Sequence, residues 1–163
     1  MKILFVCTGN ICRSPTAEAI ARQKSAIYGV DDEFIFDSAG ISNEHSGEFP
    51  DARSIKTGEK YCISFDNIKA RQVNEEDFVK FDLILTMDNT HYKNIRKICP
   101  KQYRKKIHPM LEYCQVKNEH HDEIYDPYFK GEEGFEEVFH LIDQAITNLF
   151  EIKRNKKMMQ IKA

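Results

Sequence analysis

A short apolar run, residues 3–6, leads straight into the segment Cys7-Thr8-Gly9-Asn10-Ile11-Cys12-Arg13-Ser14, and this junction constrains the fold more than any other part of the chain. The run is typical of a buried strand. The pair Ser14-Pro15 is typical of a helix start, with Ser14 as the N-cap and Pro15 as the first helical residue. The segment between them can curl so that several backbone N–H groups point into one bowl, and such a nest at a helix N-terminus attracts an oxyanion.

The two ends of this loop carry groups that predict chemistry on a bound anion. Arg13 offers a planar pair of donors suited to phosphate oxygens, and Cys7 lies at the bottom of the bowl, facing the phosphorus. The positive surroundings that bind the anion also favour the thiolate form of Cys7. One loop therefore predicts both phosphate binding and nucleophilic attack. A buried structural cysteine beside an unrelated surface arginine is the alternative interpretation of this spacing.

Composition limits the class of protein. The chain has 163 residues, of which 41% are hydrophobic and 31% charged, as expected for one soluble globular domain. The net charge of −2 gives no reason to expect nucleic-acid binding, and no apolar run approaches the length of a membrane span. The 5 cysteines lack closely spaced pairs of the metal-binding type, which favours a reducing compartment and hence the cytoplasm.

Alternating strand and helix patterns predict the fold class. Short apolar runs predict strands at residues 2–6, 33–38 and 82–87, with a weaker fourth strand at 106–110. Helical patterns fall at residues 15–28, 51–61, 88–98 and 132–152. This order favours a single-domain α/β fold, a doubly wound parallel sheet with helices on both faces, in which ligands bind beyond the carboxyl ends of the strands. We expect the domain to span residues 1–152 and residues 153–163 to form a basic, flexible tail.

The segment from Cys7 to Pro15, followed by Ala17-Glu18-Ala19, resembles the signature of the low-molecular-weight protein tyrosine phosphatases. The likeness continues in family order through Asp37-Ser38-Ala39-Gly40, Gly47-Glu48-Phe49-Pro50-Asp51-Ala52-Arg53, Ala70-Arg71-Gln72, Phe81-Asp82-Leu83-Ile84-Leu85 with Met87-Asp88, and Asp126-Pro127-Tyr128. The resemblance implies a four-stranded parallel sheet flanked by helices, with no metal and no organic cofactor. It also implies hydrolysis of phosphotyrosine proteins or small aryl phosphates through a phosphocysteine, with inorganic phosphate as the product.

Most residues of the loop take a role under this resemblance. Cys7 is the nucleophile, Arg13 holds the equatorial phosphate oxygens, and Ser14 donates its hydroxyl to the sulfur of Cys7. The other expected substrate-binding residues of the loop are Thr8, Gly9, Asn10, Ile11 and Cys12.

Hydrogen bonds and redox chemistry give some of these residues a second expected role. Asn10, Ser14 and Ser38 are expected to support the loop, with ordinary turn chemistry as the alternative for Asn10 and Ser38. Cys12 is the expected redox partner of Cys7 in a reversible disulfide that protects the nucleophile. A small apolar filler is the alternative interpretation of Cys12.

A proton donor for the departing tyrosinate is expected far along the chain, at Asp126. Pro127 restricts Asp126 to extended conformations, which would hold the carboxyl over the bowl. An isolated Asp-Pro pair is typical of a turn, and the family match favours the acid role instead. The same carboxyl would then act as a base toward the hydrolytic water. Tyr128 is expected to line the cleft and to stack on the substrate ring, with a half-exposed aromatic residue at a loop edge as the alternative interpretation.

Two positions depart from the family pattern. Glu44 occupies a slot that is commonly Trp or Tyr, which removes stacking surface and adds negative charge beside the substrate. We therefore expect weaker or narrower substrate binding, with a preference for basic residues next to the phosphotyrosine. Ile68 replaces a histidine of the loop-supporting network, so that either Asn67 compensates or the loop is less rigid.

Other functions remain open at this level. A thiol-dependent arsenate reductase can share this fold and loop, but it needs a closely spaced cysteine pair, and Cys99 and Cys114 are far apart in the sequence. A non-catalytic phosphate-binding module would fit a chain without Cys7 or Asp126. The His120-His121-Asp122 motif could hold a metal, although an exposed loop is favoured because no supporting ligands accompany it. We expect a monomer that binds neither nucleic acid nor membrane.

Overall fold

The computed structural model describes residues 1–117 and 122–162, and its centre is one four-stranded parallel sheet. The strands are β1 Lys2–Cys7, β2 Ile35–Gly40, β3 Leu83–Thr86 and β4 Ile107–Pro109. Their order in the sheet is β2-β1-β3-β4, and every neighbouring pair is parallel. Each strand overlaps one of the predicted apolar runs. The predicted α/β fold with a four-stranded parallel sheet is therefore confirmed.

Helices connect and cover the strands. They are α1 Arg13–Ile27, α2 Ala52–Lys60, α3 Glu75–Lys80, α4 Asn89–Ile98, α5 Met110–Tyr113 and α6 Gly131–Lys162, with a 3₁₀-helix at Lys101–Lys106. The sequence analysis predicted α1, α2, α4 and α6. It missed α3, α5 and the 3₁₀-helix because each is too short to show a helical repeat of apolar residues. Within the described residues, no helix combines the length and the apolar character needed to cross a membrane.

The start of α1 and the end of α6 differ from the prediction. Cys12, not Ser14, is the N-cap of α1, because the hydroxyl of Ser14 is directed into the loop instead. The residues expected to form a flexible tail continue α6 as far as Lys162. Lys153 Nζ donates to the hydroxyl of Tyr113 at 2.7 Å, so the helix remains in contact with the body of the protein beyond residue 152. His120 and His121 of the candidate metal motif lie outside the described residues.

Side chains of β1 alternate between two hydrophobic clusters, one on each face of the sheet. Ile3, Phe5 and Cys7 pack with α1 and α6, whereas Leu4 and Val6 pack with α3 and α4. This alternation is the two-residue period of a strand, and both faces are apolar because both are covered by helices. Burial of each such side chain contributes about 1.5–3 kcal/mol to stability. The resulting core holds the carboxyl end of β1 in a fixed place.

The carboxyl ends of β1 and β3 form the crevice in which the predicted site lies. The two strands are neighbours, but α1 follows β1 on one face of the sheet and α4 follows β3 on the other. Such a change of direction opens a crevice between the two connections. Cys7 ends β1, and Asp88 follows β3 as the N-cap of α4. The predicted loop and Asp88 therefore meet across one crevice.

Candidate active site

The loop after β1 curls with its carbonyl groups turned outward. The carbonyl oxygens of Cys7, Thr8 and Ile11 accept hydrogen bonds from the backbone N–H groups of Ile41, Ser42 and Asp51, at 3.0, 2.9 and 2.7 Å. Among residues 1–117 and 122–162, none accepts a hydrogen bond from the backbone N–H groups of residues 9–12. These N–H groups precede the N-terminus of α1 and are available to an anion.

Gly40 allows the loop to pass close to the end of β2. A Cβ atom at Gly40 would lie 2.6 Å from the carbonyl oxygen of Thr8, a separation that real Cβ atoms essentially never show. Any side chain at this position would push the loop away from the sheet. The sequence analysis quoted Gly40 as part of a motif but gave it no role.

Three buried polar side chains meet beneath the bowl. Asn10 has a left-handed φ of 57°, and its Nδ2 donates to Ser14 Oγ at 2.8 Å while its Oδ1 accepts from the Arg71 backbone N–H at 2.9 Å. Ser14 Oγ lies 3.0 Å from Cys7 Sγ and 3.4 Å from the Ala39 carbonyl oxygen. Because Asn10 donates to Ser14, the one hydroxyl hydrogen of Ser14 is left for Cys7 or for Ala39. A thiolate at Cys7 would be the stronger acceptor of the two.

Ser38, Asn67 and Ile68 lie apart from this group. Ser38 Oγ donates to Glu18 Oε2 at 2.5 Å. Burial raises the pKa of Glu18, and the hydrogen bond from Ser38 opposes the shift. Ile68 is packed in the core, and Asn67 is exposed with a φ of 62°. The backbone N–H of Arg71 supplies the hydrogen bond to Asn10 in place of a side chain from either position.

Arg13 is buried at the start of α1 and is held from two sides of the crevice. Its Nη1 donates to Asp88 Oδ2 at 2.9 Å and to the carbonyl oxygen of Ile124 at 3.0 Å. Its Nη2 pairs with Asp126 Oδ2 at 3.3 Å. The side chain of Asp88 is 16% exposed and that of Asp126 is 50% exposed. Asp88 therefore fixes the guanidinium, whereas Asp126 is the partner that an incoming anion can displace.

Half-buried Asp88 and buried His91 form a pair behind Arg13 to which the sequence analysis gave no role. Asp88 Oδ1 accepts the backbone N–H of His91 at 2.8 Å and lies 3.0 Å from His91 Nδ1. Burial opposes ionisation of Asp88, but hydrogen bonding and charge from His91, together with the charge of Arg13, outweigh burial and hold its pKa at about 2. On the other side of the ring, His91 Nε2 lies 2.7 Å from Thr8 Oγ1. The available sequence signal was the position of Asp88, directly after a strand next to β1.

Asp126 lies on the opposite rim, in the segment before α6. Its Oδ1 accepts the backbone N–H of Tyr128 at 3.1 Å, which fixes the carboxyl in a tight turn while Oδ2 faces Arg13. Arg53 Nη1 donates to the carbonyl oxygen of Tyr128 at 2.8 Å, and its guanidinium carbon lies 4.8 Å from the centre of the Tyr128 ring. Arg53 thus holds the segment that carries the predicted acid.

Asp51 joins Arg53 to the loop. It accepts hydrogen bonds from the backbone N–H, Nε and Nη2 of Arg53 at 2.9, 3.0 and 2.7 Å. The hydrogen bond from Arg53 is the main cause of the lowered pKa of Asp51. Since the backbone N–H of Asp51 donates to Ile11, the two rims are linked through these residues. The sequence analysis gave Asp51 and Arg53 no role because their bonds to Ile11 and Tyr128 join parts of the chain that are distant in the sequence.

Between the rims lies a cleft of about 160 Å³. Glu44 is exposed on one wall, and Tyr128 and Phe129 form another, with ring centres 4.9 Å apart. Phe129 is 91% exposed, so an apolar ring stands free at the mouth. His45, which the sequence analysis did not single out, also lines the cleft, and its Nδ1 lies 2.9 Å from Glu48 Oε2.

The cysteines of the chain differ in their surroundings. Cys12 is a buried free thiol, and burial, with the negative charge of Asp51, raises its pKa to about 12. Cys12 is therefore protonated at neutral pH, and its role as a redox partner of Cys7 stays a prediction. Cys99 and Cys114 are also buried free thiols whose pKa is raised by burial.

Most of the predicted site residues meet in this one crevice. Those that line the cleft are Cys7, Thr8, Gly9, Ile11, Cys12, Arg13, Glu44, Asp126 and Tyr128. Asn10 and Ser14 lie directly beneath it. Ser38 is the exception, because its hydroxyl is bonded to Glu18 and not to the loop.

Comparisons with known proteins agree with this geometry. The family model described as low molecular weight phosphotyrosine protein phosphatase matches residues 2–160. Low molecular weight phosphotyrosine protein phosphatase 2 of Drosophila melanogaster is 37% identical over 158 residues, covering 96% of this chain and 94% of that protein. Low molecular weight protein-tyrosine-phosphatase YfkJ of Bacillus subtilis is 36% identical over 159 residues, covering 98% and 99%.

A solved structure gives the same result. The crystal structure of a protein tyrosine phosphatase from Entamoeba histolytica, with Hepes in its active site, superposes with a TM-score of 0.89 at 39% identity. The match covers 96% of this chain and 99% of that one. The fold, the match to the family model and these relatives together place the chain in the low molecular weight phosphotyrosine protein phosphatase family.

Proposed function

We propose that this phosphatase hydrolyses phosphotyrosine and small aryl phosphates by two displacements at phosphorus, through a phosphocysteine on Cys7. The observation that carries the proposal is the bowl after β1, where the sulfur of Cys7, unpaired backbone N–H groups and Arg13 are brought together. The family supports the same activity, and Hepes in the active site of the Entamoeba relative is a sulfonate, a tetrahedral oxyanion like phosphate.

In the first displacement the Cys7 thiolate attacks the phosphorus in line with the tyrosine oxygen. The sulfur–phosphorus bond forms as the phosphorus–oxygen bond breaks, and Asp126 gives its proton to the departing oxygen. The loop N–H groups and Arg13 hold the three equatorial oxygens while charge redistributes among them. Asp126 is well placed for this, because it lines the rim of the cleft and its side chain is half exposed, so it can exchange protons with solvent.

In the second displacement a water molecule attacks the phosphocysteine. Asp126, now a carboxylate, takes a proton from the water, and the sulfur–phosphorus bond breaks to give inorganic phosphate and the Cys7 thiolate. The hydroxyl of Ser14, 3.0 Å from the sulfur, stabilises the thiolate as it departs. Asn10 keeps Ser14 in place through its own hydrogen bond. Ser38 supports the loop only indirectly, through Glu18 on α1.

Two observations favour this function over the alternatives. Cys99 and Cys114 are buried in different hydrophobic clusters, on opposite faces of the sheet, so they cannot relay oxidation between them as arsenate reduction would require. Asp126 lies 3.3 Å from Arg13, where an acid is needed for hydrolysis and is of no use to a passive phosphate-binding module.

The test of the function is Cys7→Ser. We expect this variant to lose hydrolysis of p-nitrophenyl phosphate while it still binds inorganic phosphate in a calorimetric titration, because the bowl remains without its nucleophile. Unchanged turnover would overturn the mechanism. The wild-type protein should be assayed alongside on a phosphotyrosine peptide, a phosphoserine peptide and arsenate, and reduction of arsenate would favour the alternative enzyme.

Glu44 supports a finer proposal about the substrate. Its carboxylate is exposed on the wall of the cleft, where it attracts basic residues beside the phosphotyrosine and repels acidic ones. We expect Glu44→Gln to reduce the ratio of kcat/KM between a lysine-flanked and an aspartate-flanked phosphotyrosine peptide. The same ratio in the variant and the wild type would remove Glu44 from peptide selection. Glu59→Gln, an exposed carboxyl on α2, serves as the control.

A further inference from the structure

His91 is a buried ring between two parts of the phosphate site. It is 3% exposed, although it lies on α4 and outside every motif that predicted the site. Its Nε2 is 2.7 Å from the hydroxyl of Thr8, the residue after the nucleophile. Its Nδ1 is 3.0 Å from one carboxylate oxygen of Asp88, and the other oxygen of Asp88 accepts from Arg13 at 2.9 Å.

The two nitrogens of the ring face different groups. Nδ1 faces the carboxylate of Asp88 at 3.0 Å, and Asp88 stays ionised above its pKa of about 2, although the two atoms are not aligned as a hydrogen bond. Nε2 and the hydroxyl of Thr8 share a hydrogen bond of 2.7 Å whichever ring nitrogen carries the hydrogen, because a hydroxyl can both donate and accept. The hydroxyl of Thr8 is thereby bound to His91.

Thr8 is therefore held from both sides of the crevice. Its carbonyl oxygen accepts from the backbone N–H of Ser42 after β2, and its hydroxyl is bound by His91 on α4, after β3. The peptide that follows Thr8 carries the N–H of Gly9, one of the groups available to an anion. A rotation of this peptide would turn that N–H away from the bowl, and fixed donors are what an oxyanion site depends on.

We propose that His91 is a positioning residue of the phosphate site. It holds Thr8, and with it the backbone at the mouth of the bowl, in a fixed position relative to Asp88 and Arg13. Where it is tested by the KM of a substrate, this inference rests on the proposed function, because KM can be measured only if the protein turns the substrate over. Binding of inorganic phosphate needs no catalysis and therefore tests it separately. A histidine that only fills space in the crevice is the competing explanation.

Substitution of His91 by each of two amide residues distinguishes the contact made by Nε2 from the contact made by Nδ1. In His91→Gln the amide reaches about as far as Nε2 and can still meet Thr8, whereas in His91→Asn it reaches only as far as Nδ1 and loses Thr8. Thr8→Val removes the hydroxyl at nearly constant volume, and Thr8→Ser retains it. Thr90→Val, at an exposed position on the same helix, is the control.

The measurement is a calorimetric titration with inorganic phosphate, with KM for p-nitrophenyl phosphate measured in parallel. We expect Thr8→Val and His91→Asn each to weaken phosphate binding roughly three- to tenfold, the value of one hydrogen bond. Thr90→Val should stay within about twofold of wild type. Thr8→Ser and His91→Gln keep a group that can form the contact and should bind phosphate more tightly than Thr8→Val and His91→Asn, respectively. The double variant Thr8→Val/His91→Asn should bind no more weakly than either single variant, because both remove the same contact.

Other results overturn the inference. If His91→Asn and His91→Gln weaken phosphate binding equally and lower the unfolding temperature equally, His91 only fills space. If the effects of Thr8→Val and His91→Asn add, the two residues act independently. A wild-type protein that binds phosphate but hydrolyses nothing would contradict the proposed function alone, and the phosphate titration would still decide the role of His91.

Discussion

Two carboxylates contact Arg13, and their surroundings give them different uses. Asp88 is mostly buried, with a pKa held at about 2 by His91 and Arg13 against the effect of burial, so it stays ionised throughout the working range of an enzyme. Asp126 is half exposed, makes a single longer contact with Arg13, and lies at the rim where a leaving group would depart. These differences favour Asp126, and not Asp88, for the proposed exchange of protons with the substrate.

Asp126→Ala should therefore lower kcat by roughly 10²–10⁴-fold for phenyl phosphate, whose leaving group needs a proton. The loss should be much smaller for 2,4-dinitrophenyl phosphate, whose leaving group is stable without one. Steady-state kinetics on the two substrates measures the difference. Asp88→Asn is the matched comparison, since it acts through Arg13 and should affect both substrates equally. An equal loss for both substrates in Asp126→Ala would remove the acid role.

Among the larger elements, the segment that carries Asp126 depends on a residue from another part of the chain. Arg53, the second residue of α2, donates to the carbonyl oxygen of Tyr128, packs against its ring, and is itself held by Asp51. Its guanidinium lies 4.5 Å from the ring centre of Phe135 on α6. The position of the acid is thus set by the contact between α2 and the start of α6.

Arg53→Lys should misplace this segment, because a lysine cannot reproduce the two-pronged pairing with Asp51 or the stacking on Tyr128. We expect kcat for phenyl phosphate to fall roughly ten- to hundredfold, with a smaller change in the affinity for inorganic phosphate. Lys56→Met is the control, since Lys56 also joins α2 to α6 through Glu132 but does not touch the acid segment. A fall in phosphate affinity as large as the fall in kcat would show that Arg53 acts on the bowl instead.

The difference between local patterns and contacts that join distant parts of the chain explains how much of this protein the sequence could predict. β1, β2 and β3 were predictable because each overlaps a short apolar run, and the loop was predictable because Cys7 to Ser14 are consecutive. Residues such as Arg53 and His91 were not, because their roles come from partners that only the fold brings near. Of the two roles expected for Ser14, the N-cap was wrong, because Cys12 caps α1. The expected contact with the Cys7 sulfur is present, and the hydroxyl of Ser14 lies between that sulfur and Asn10.

Over the whole molecule, α1 connects the site to the rest of the core through a buried acid. The carboxyl of Glu18 is almost fully buried and accepts from Ser38 on β2. Burial raises its pKa above the ordinary value of 4.5, so the folded state holds the proton more tightly than the unfolded chain. Glu18 therefore makes its full contribution to the stability of the folded state at pH values below 4.5. This contribution is lost as the pH rises through the higher pKa that Glu18 has in the folded protein.

Glu18→Gln removes this loss, because the amide is neutral at every pH. The unfolding temperature of the variant minus that of the wild type should therefore become more positive between about pH 4 and pH 8. Thermal unfolding across this range checks the trend, with Glu59→Gln as an exposed comparison. A difference that does not change with pH would contradict it. Titration of Asp88 does not affect this difference in unfolding temperature, because both proteins contain Asp88.

The pairing of Arg13 with Asp126 makes the protein compete with its own substrate. A phosphate that binds Nη2 of Arg13 takes the place of the Asp126 carboxylate, so Asp126 acts as an internal competitor at the rim. The exchange that lowers affinity also frees this carboxylate from Arg13, so that it can take up a proton from solvent and give it to the leaving oxygen. Weak ground-state binding and a ready acid are therefore two results of one contact, and Asp126→Asn should bind inorganic phosphate more tightly than the wild type does.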